Sequence, residues 1–111
     1  MSASKNRLDN LCLIVDYNGL QIDGKIEDVA GLVDIKEKFE SFGFNVIEID
    51  GHDYKQIIEA FESAKKVTGK PTAIVAKTIK GKGVSYMEDK AGWHGKAPNE
   101  EQLVQAMKDL L

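Results

Sequence analysis

The unbroken apolar run Leu11-Cys12-Leu13-Ile14-Val15, closed by the polar, glycine-punctuated stretch Asp16-Tyr17-Asn18-Gly19-Leu20-Gln21-Ile22-Asp23-Gly24, constrains the fold more than any other segment. A run without polar interruption reads as a strand buried on both faces, as in a parallel sheet. In such sheets ligands bind beyond the carboxyl ends of the strands, which is where the polar stretch falls. Asn18 offers a neutral side-chain oxygen, and Gly19 lets the backbone turn so that carbonyls face inward. Oxygen ligands of this kind suit a hard cation such as Mg²⁺. An ordinary turn rich in Asp, Asn and Gly reads the same way from the residues alone.

Two more strands are predicted, at residues 45–49 and 72–76, alongside the first at 11–15. Helical patterns separate them. Ile35, Phe39 and Phe42 lie at i, i+4 and i+7, on one helix face, with Asp34 as the cap at its start and Gly43 at its end. Asp53-Tyr54-Lys55-Gln56 resembles a capping box and opens a second helix that buries Ile57, Ile58, Phe61 and Ala64. A last helix starts at Asn99, has Gln102 at the capping-box position, and presents Leu103, Val104, Met107, Leu110 and Leu111 as its apolar face. Strands alternating with helices imply parallel βαβ units. Residues 1–111 are expected to be one domain. Three parallel strands leave sheet edges open, so the chain is expected to be part of a larger sheet or to associate, with the first strand the exposed edge or face.

Composition narrows the function classes. The formal net charge of −3 supplies no basic excess for nucleic acid. No apolar stretch approaches the ~20 residues of a membrane span, and no signal-peptide hydrophobic region precedes Leu11. A cytoplasmic protein without membrane or nucleic-acid partners is expected. Cys12, the single cysteine, is expected to pack as a small hydrophobe in the first strand. No Gly-x-Gly-x-x-Gly follows that strand, which counts against a generic nucleotide binder.

Several segments together resemble the transketolases. Leu8-Asp9-Asn10-Leu11 followed by residues 15–24 is similar to the second half of their thiamin diphosphate motif. Phe42-Gly43-Phe44 through Gly51-His52-Asp53 is similar to the next strand and its exit loop, and Thr68-Gly69-Lys70-Pro71 through Thr78 to the strand after it. Lys80-Gly81-Lys82-Gly83-Val84-Ser85 and Trp93-His94-Gly95-Lys96-Ala97-Pro98-Asn99 resemble the family's closing loop. The resemblance implies an α/β, Rossmann-like, three-layer parallel sheet, here a partial thiamin-diphosphate-binding fold of about three strands.

The resemblance also implies site residues. Asn18, through its side-chain oxygen, and Leu20, through its carbonyl, would bind Mg²⁺, with Ca²⁺ or Mn²⁺ as substitutes. Ile22 would reach the ring system of the cofactor. His94 would lie at the diphosphate and the reacting substrate and assist proton transfer, which a pKa near ~6.5 suits; alone, a Trp-His-Gly triplet reads as a surface or capping histidine. Lys80 would lie close to cofactor or substrate, with Lys77 and Lys82 ranked below it, although such a run reads as a solvated face without the resemblance. His52 is assigned a structural role at a strand exit.

The family's Gly-Asp-Gly triplet, which carries another Mg²⁺ ligand, and its pyrimidine-binding domain, which carries the activating Glu, are absent from this sequence. The implied activity is transfer of a two-carbon ketol unit between sugar phosphates, as in the pentose phosphate pathway. It would be performed with a pyrimidine-binding partner subunit in a homo- or hetero-oligomer, the isolated chain being inactive. The competing expectation is a non-catalytic Rossmann-like assembly module.

Overall fold

The computed structural model describes residues 1–21, 24–25 and 34–111. In chain order they form α1 (Ser2–Lys5), β1 (Cys12–Tyr17), β2 (Leu20–Gln21), β3 (Gly24–Lys25), α2 (Ile35–Ser41), β4 (Asn45–Asp50), α3 (Tyr54–Ala64), β5 (Thr72–Lys77), a 3₁₀ turn (Ala91–Trp93) and α4 (Glu100–Asp109). Two compact units are distinguished: residues 1–17 with 32–78, and residues 18–31 with 79–111.

The first unit holds a three-stranded sheet in the order β1-β5-β4, with both pairings parallel. Paired residues share a face, so the register defines two sides. Ile14, Ile74 and Ile47 lie on one, and Val15, Val75 and Glu48 on the other. Ile57 and Ala60 of α3 pack against the first side over Ile47, Ile49, Ile74 and Ala76. Lys36 of α2 reaches Glu48 on the second at 3.8 Å. Helices therefore lie on both faces, and the three-layer parallel arrangement expected from the sequence is present. Beta5 is the middle strand, and Pro71 through Ala76 are all buried.

That order bears out the expectation of the first strand as an exposed edge and corrects its reading as a doubly buried strand. Residues 11–15 are not buried on both faces. Beta1 is a sheet edge, with Leu11 38 %, Leu13 36 % and Ile14 55 % exposed. Cys12 is exposed as well, not packed in a core. A continuous apolar run is the signature of a central strand, but here the central strand is β5, buried from Thr72 through Ala76. Beside β1 lies an open groove of about 520 Å³ walled by Leu11, Cys12, Phe61, Ala64 and Val67.

The helix termini are built as the sequence predicts. The carboxylate of Asp34 accepts the Glu37 N–H at 2.9 Å. Gly43, at φ +82°, follows the end of α2. Asp53 caps α3 by accepting the N–H groups of Lys55 and Gln56 at 2.8 and 3.3 Å. The Gln56 amide completes the cap in its own way: its nitrogen donates to Asp53 and its oxygen accepts the Asp50 N–H, each at 2.9 Å. Asn99 and Gln102 form a reciprocal capping box.

The apolar faces are less covered than the periodicity predicts. Ala60 and Ala64 are buried in α3, but Ile58 is 62 % exposed and Phe61 38 %. In α4 only Ala106 is buried. Leu103, Val104, Met107, Leu110 and Leu111 are all more than half exposed. Periodicity identifies the face that must be covered, and not whether the same chain covers it. Among the described residues no helix is long and apolar enough to cross a membrane.

Candidate functional site

The carboxyl ends of the three strands are laced together within the first unit. The Thr78 hydroxyl donates to the carboxylate of Asp16, and the Thr78 N–H donates to the Tyr17 carbonyl at 3.2 Å. On the other side of β5, the Gly51 N–H donates to Lys77 O at 2.7 Å. This approach is too close for a side chain. A Cβ at Gly51 would collide with the Thr78 methyl group and come within 3.1 Å of Ala76 Cβ. His52 follows at the strand exit, where its N–H donates to the Asp50 carboxylate at 2.9 Å.

Past Tyr17 the chain turns. Asn18 Oδ1 accepts the Leu20 N–H at 3.0 Å, and Gly19 between them sits at φ +71°, a left-handed conformation that glycine adopts without strain. The turn brings Asn18 and Leu20 together, both half-buried. An amide oxygen has two lone pairs, so Asn18 Oδ1 keeps one for a ligand. The donor set is two neutral hard oxygens, which match Mg²⁺ in type but carry no charge and fill only part of an octahedron. Among the described residues no group of three or more His, Cys, Asp or Glu could hold a metal. In donor type these two oxygens are compatible with a hard cation, and by themselves they do not complete its coordination. Ile22 lies outside the described residues.

Residues 79–98 form consecutive turns in the second unit. The Lys80 carbonyl accepts the Asp89 N–H at 2.9 Å. Of the three lysines in the run, Lys77 pairs with Glu48 at 3.4 Å and Lys82 with Glu88 at 3.6 Å. Lys80 is half-buried, and among the described residues it has no carboxylate within ion-pairing distance. His94 closes the 3₁₀ turn, its N–H donating to Ala91 O at 2.9 Å. Its side chain is exposed and has no hydrogen-bond partner among the described residues.

Sequence reasoning misses the contacts that hold these turns. The Trp93 indole N–H donates to Tyr86 O at 2.9 Å, and the Tyr86 hydroxyl donates to Gln102 O at 2.7 Å. Ser85 donates to Asp109 through both its hydroxyl and its N–H. These bonds, the hydroxyl's foremost, hold the Asp109 carboxyl below the usual range. The Gln56 amide does the same for Asp53. Partial burial pushes the Cys12 thiol up, which disfavours the thiolate. The Asp53–Gln56 pair has the i, i+3 spacing of a capping box, whereas the Trp93–Tyr86, Tyr86–Gln102 and Ser85–Asp109 pairs have no spacing that would mark them in the sequence. The asparagine turn does have a local signal, the Asn-Gly dipeptide.

A parallel β1-β5-β4 sheet with helices on both faces is a Rossmann-like α/β architecture. Comparison with known proteins narrows it. The whole chain, residues 1–111, matches the family described as "Transketolase, thiamine diphosphate binding domain", and the chain belongs to that family. It is 39 % identical over 110 residues to an apulose-4-phosphate transketolase subunit of Phocaeicola vulgatus, covering 99 % of this chain and 39 % of the relative. It is 41 % identical over 110 residues to the 6-deoxy-6-sulfo-D-fructose transketolase subunit SqwG of a Clostridium species, covering 99 % of this chain and 40 % of the relative. The chain thus spans about two fifths of the length of these relatives. Among solved structures, transketolase from Campylobacter jejuni superposes with a TM-score of 0.88 at 39 % identity, over 98 % of this chain and 17 % of that one.

Proposed function

We propose that this chain contributes part of the cofactor site of a transketolase that moves a two-carbon ketol unit between sugar phosphates, in the manner of the pentose phosphate pathway, in the cytoplasm. Family membership over residues 1–111, taken as one domain, carries the reading. The turn at Asn18 supports it locally, because it presents a free oxygen lone pair next to Leu20. In this reading Asn18 Oδ1 and the Leu20 carbonyl hold Mg²⁺, and Ile22 and Lys80 contact the cofactor. Lys80 is suited to an anionic group by its ammonium, which has no carboxylate partner among the described residues.

Bound thiamin diphosphate would supply the carbanion chemistry. The chain's own residues do the rest. Asn18 and Leu20 would hold the metal, Lys80 would add positive charge for an anionic group, and His94 would hold or move a proton at an imidazole nitrogen. Two neutral metal ligands do not complete an octahedral site, so the chain alone is inactive. It works with a subunit or domain that binds the pyrimidine end of the cofactor, within a homo- or hetero-oligomer. Relatives named as transketolase subunits support a divided enzyme. The substrates in these relatives' names, a phosphorylated and a sulfonated sugar, favour a substrate with a terminal anion.

The test is a coupled assay with ketose and aldose phosphates, thiamin diphosphate and Mg²⁺. No turnover is expected from the chain alone, and turnover is expected when a pyrimidine-binding subunit is added. Turnover by the chain alone, or cofactor-independent assembly with no activity, would overturn the reading, the second result in favour of an assembly module.

A further inference from the structure

We propose that Trp93 is a positioning residue for His94 and that Tyr86 passes the register of α4 to it; the catalytic consequence rests on the role given to His94 above. The imidazole of His94 is exposed and has no hydrogen-bond partner among the described residues. Its location is therefore set by the backbone of the 3₁₀ turn that ends in it. That turn is gripped at the residue next to His94. The Trp93 indole N–H donates to the Tyr86 carbonyl at 2.9 Å. The two rings also pack with centroids 5.2 Å apart at a tilt of 57°. Two residues beyond His94, the Lys96 ammonium stands 4.8 Å from the centroid of the Trp93 ring, within cation–π range. Tyr86 is itself tied to α4, because its hydroxyl donates to the Gln102 carbonyl at 2.7 Å. The Gln102 amide is engaged in the capping box that starts α4, so the tether ends on a capped first turn of that helix.

The chain of contacts thus runs from the first turn of α4 through Tyr86 and Trp93 to the peptide shared with His94. A proton-transfer group must lie within hydrogen-bonding reach of the reacting atom, and small displacements are costly in rate. An imidazole without a hydrogen-bond partner meets that requirement only if its backbone is fixed. Trp93 fixes it through one donor and one ring, and the two can be separated by substitution.

Trp93→Phe keeps a ring and removes the indole N–H; Tyr86→Phe keeps the ring and removes the tether to α4. His52 and His94 are the two histidines, so their ring C–H signals in a ¹H–¹³C spectrum of this chain are assigned by His94→Ala. In both phenylalanine variants the His94 signal is expected to shift or broaden while that of His52, in the other compact unit, stays in place. In the assembled transketolase, Trp93→Phe is expected to lower kcat by about tenfold with KM little changed. An unmoved His94 signal in a folded Trp93→Phe chain overturns the proposal. If that variant loses the His52 signal of the fold, Tyr86→Phe decides by the same criterion. A kcat unaffected by His94→Ala would instead remove the catalytic reading of His94, while the spectra would still decide whether Trp93 positions it.

Discussion

Ser85 and Asp109 are joined twice, the hydroxyl and the backbone N–H of Ser85 both donating to Oδ2 of Asp109, at 2.7 and 2.9 Å. Gln105 donates to the other carboxylate oxygen at 2.6 Å. The last residue of α4 is thereby fastened to the loop that also carries Lys80 and His94.

The fastening depends on pH with a defined sign. The Asp109 carboxyl lies below its ordinary value of 3.8 in the folded chain. Its contribution is therefore fully present above the unfolded value and is lost as pH falls through the lowered folded value. Fluorescence of Trp93, the single tryptophan, is expected to change on acidification through that window. The change attributable to this pair should be missing in Asp109→Asn. An identical acid transition in the variant would show that Ser85 and Asp109 are not coupled to the loop.

Gly51→Ala should destabilise the first unit. The added Cβ meets the Thr78 methyl and Ala76 Cβ where three strand ends converge, and overpacking of this kind costs about 1–3 kcal/mol. Urea denaturation followed by circular dichroism measures it. An unchanged midpoint would mean that the strand ends part without cost.

Asn18→Ala in the assembled enzyme should weaken Mg²⁺-dependent cofactor binding by about 1–3 kcal/mol, comparable to losing a hydrogen bond to a charged group. Asn18→Asp keeps both an acceptor for the Leu20 N–H and a hard oxygen for the metal, so it is expected to retain cofactor binding. Titration calorimetry giving wild-type affinity for Asn18→Ala would remove Asn18 from the metal site.

His94→Ala should lower kcat by roughly 10²–10⁴-fold, the range of a positioned proton-transfer group, with a smaller effect on cofactor affinity. Normal kcat with a raised cofactor dissociation constant would make His94 a binding residue only.

Ile14, 55 % exposed on the edge strand, should support association of the chain. Light scattering after size exclusion is expected to give a mass above the monomer, reduced by Ile14→Lys, since lysine on an edge strand opposes pairing. A monomer at all concentrations would contradict this.

Local chemistry is legible in the sequence, and packing across distance is not. The caps at Asp34, Asp53 and Asn99 all form, because a cap needs only residues within one turn. The parallel class follows from alternation of strands and helices. Burial of residues 11–15 does not follow from their apolarity, which marks surface that needs covering, whereas strand order decides whether it is covered. The face of Leu103, Val104 and Met107 differs from expectation for the same reason. In the candidate site, the turn at Asn18 is visible through Asn-Gly. The Trp93–Tyr86–Gln102 relay is not, because its partners are set by the tertiary path of residues 79–98.

The place of β5 between β1 and β4 has a consequence for synthesis. Neither flanking strand pairs with the other, and Cys12 meets its partner Thr72 only after the whole intervening stretch has been made. The β1-β5-β4 sheet therefore cannot close in a nascent chain until its third long strand is out. Beta1 and β4 wait as unpaired templates, exposed to chaperones or to a neighbouring chain. The time taken to make the stretch between β1 and β5 then sets how long that vulnerable interval lasts.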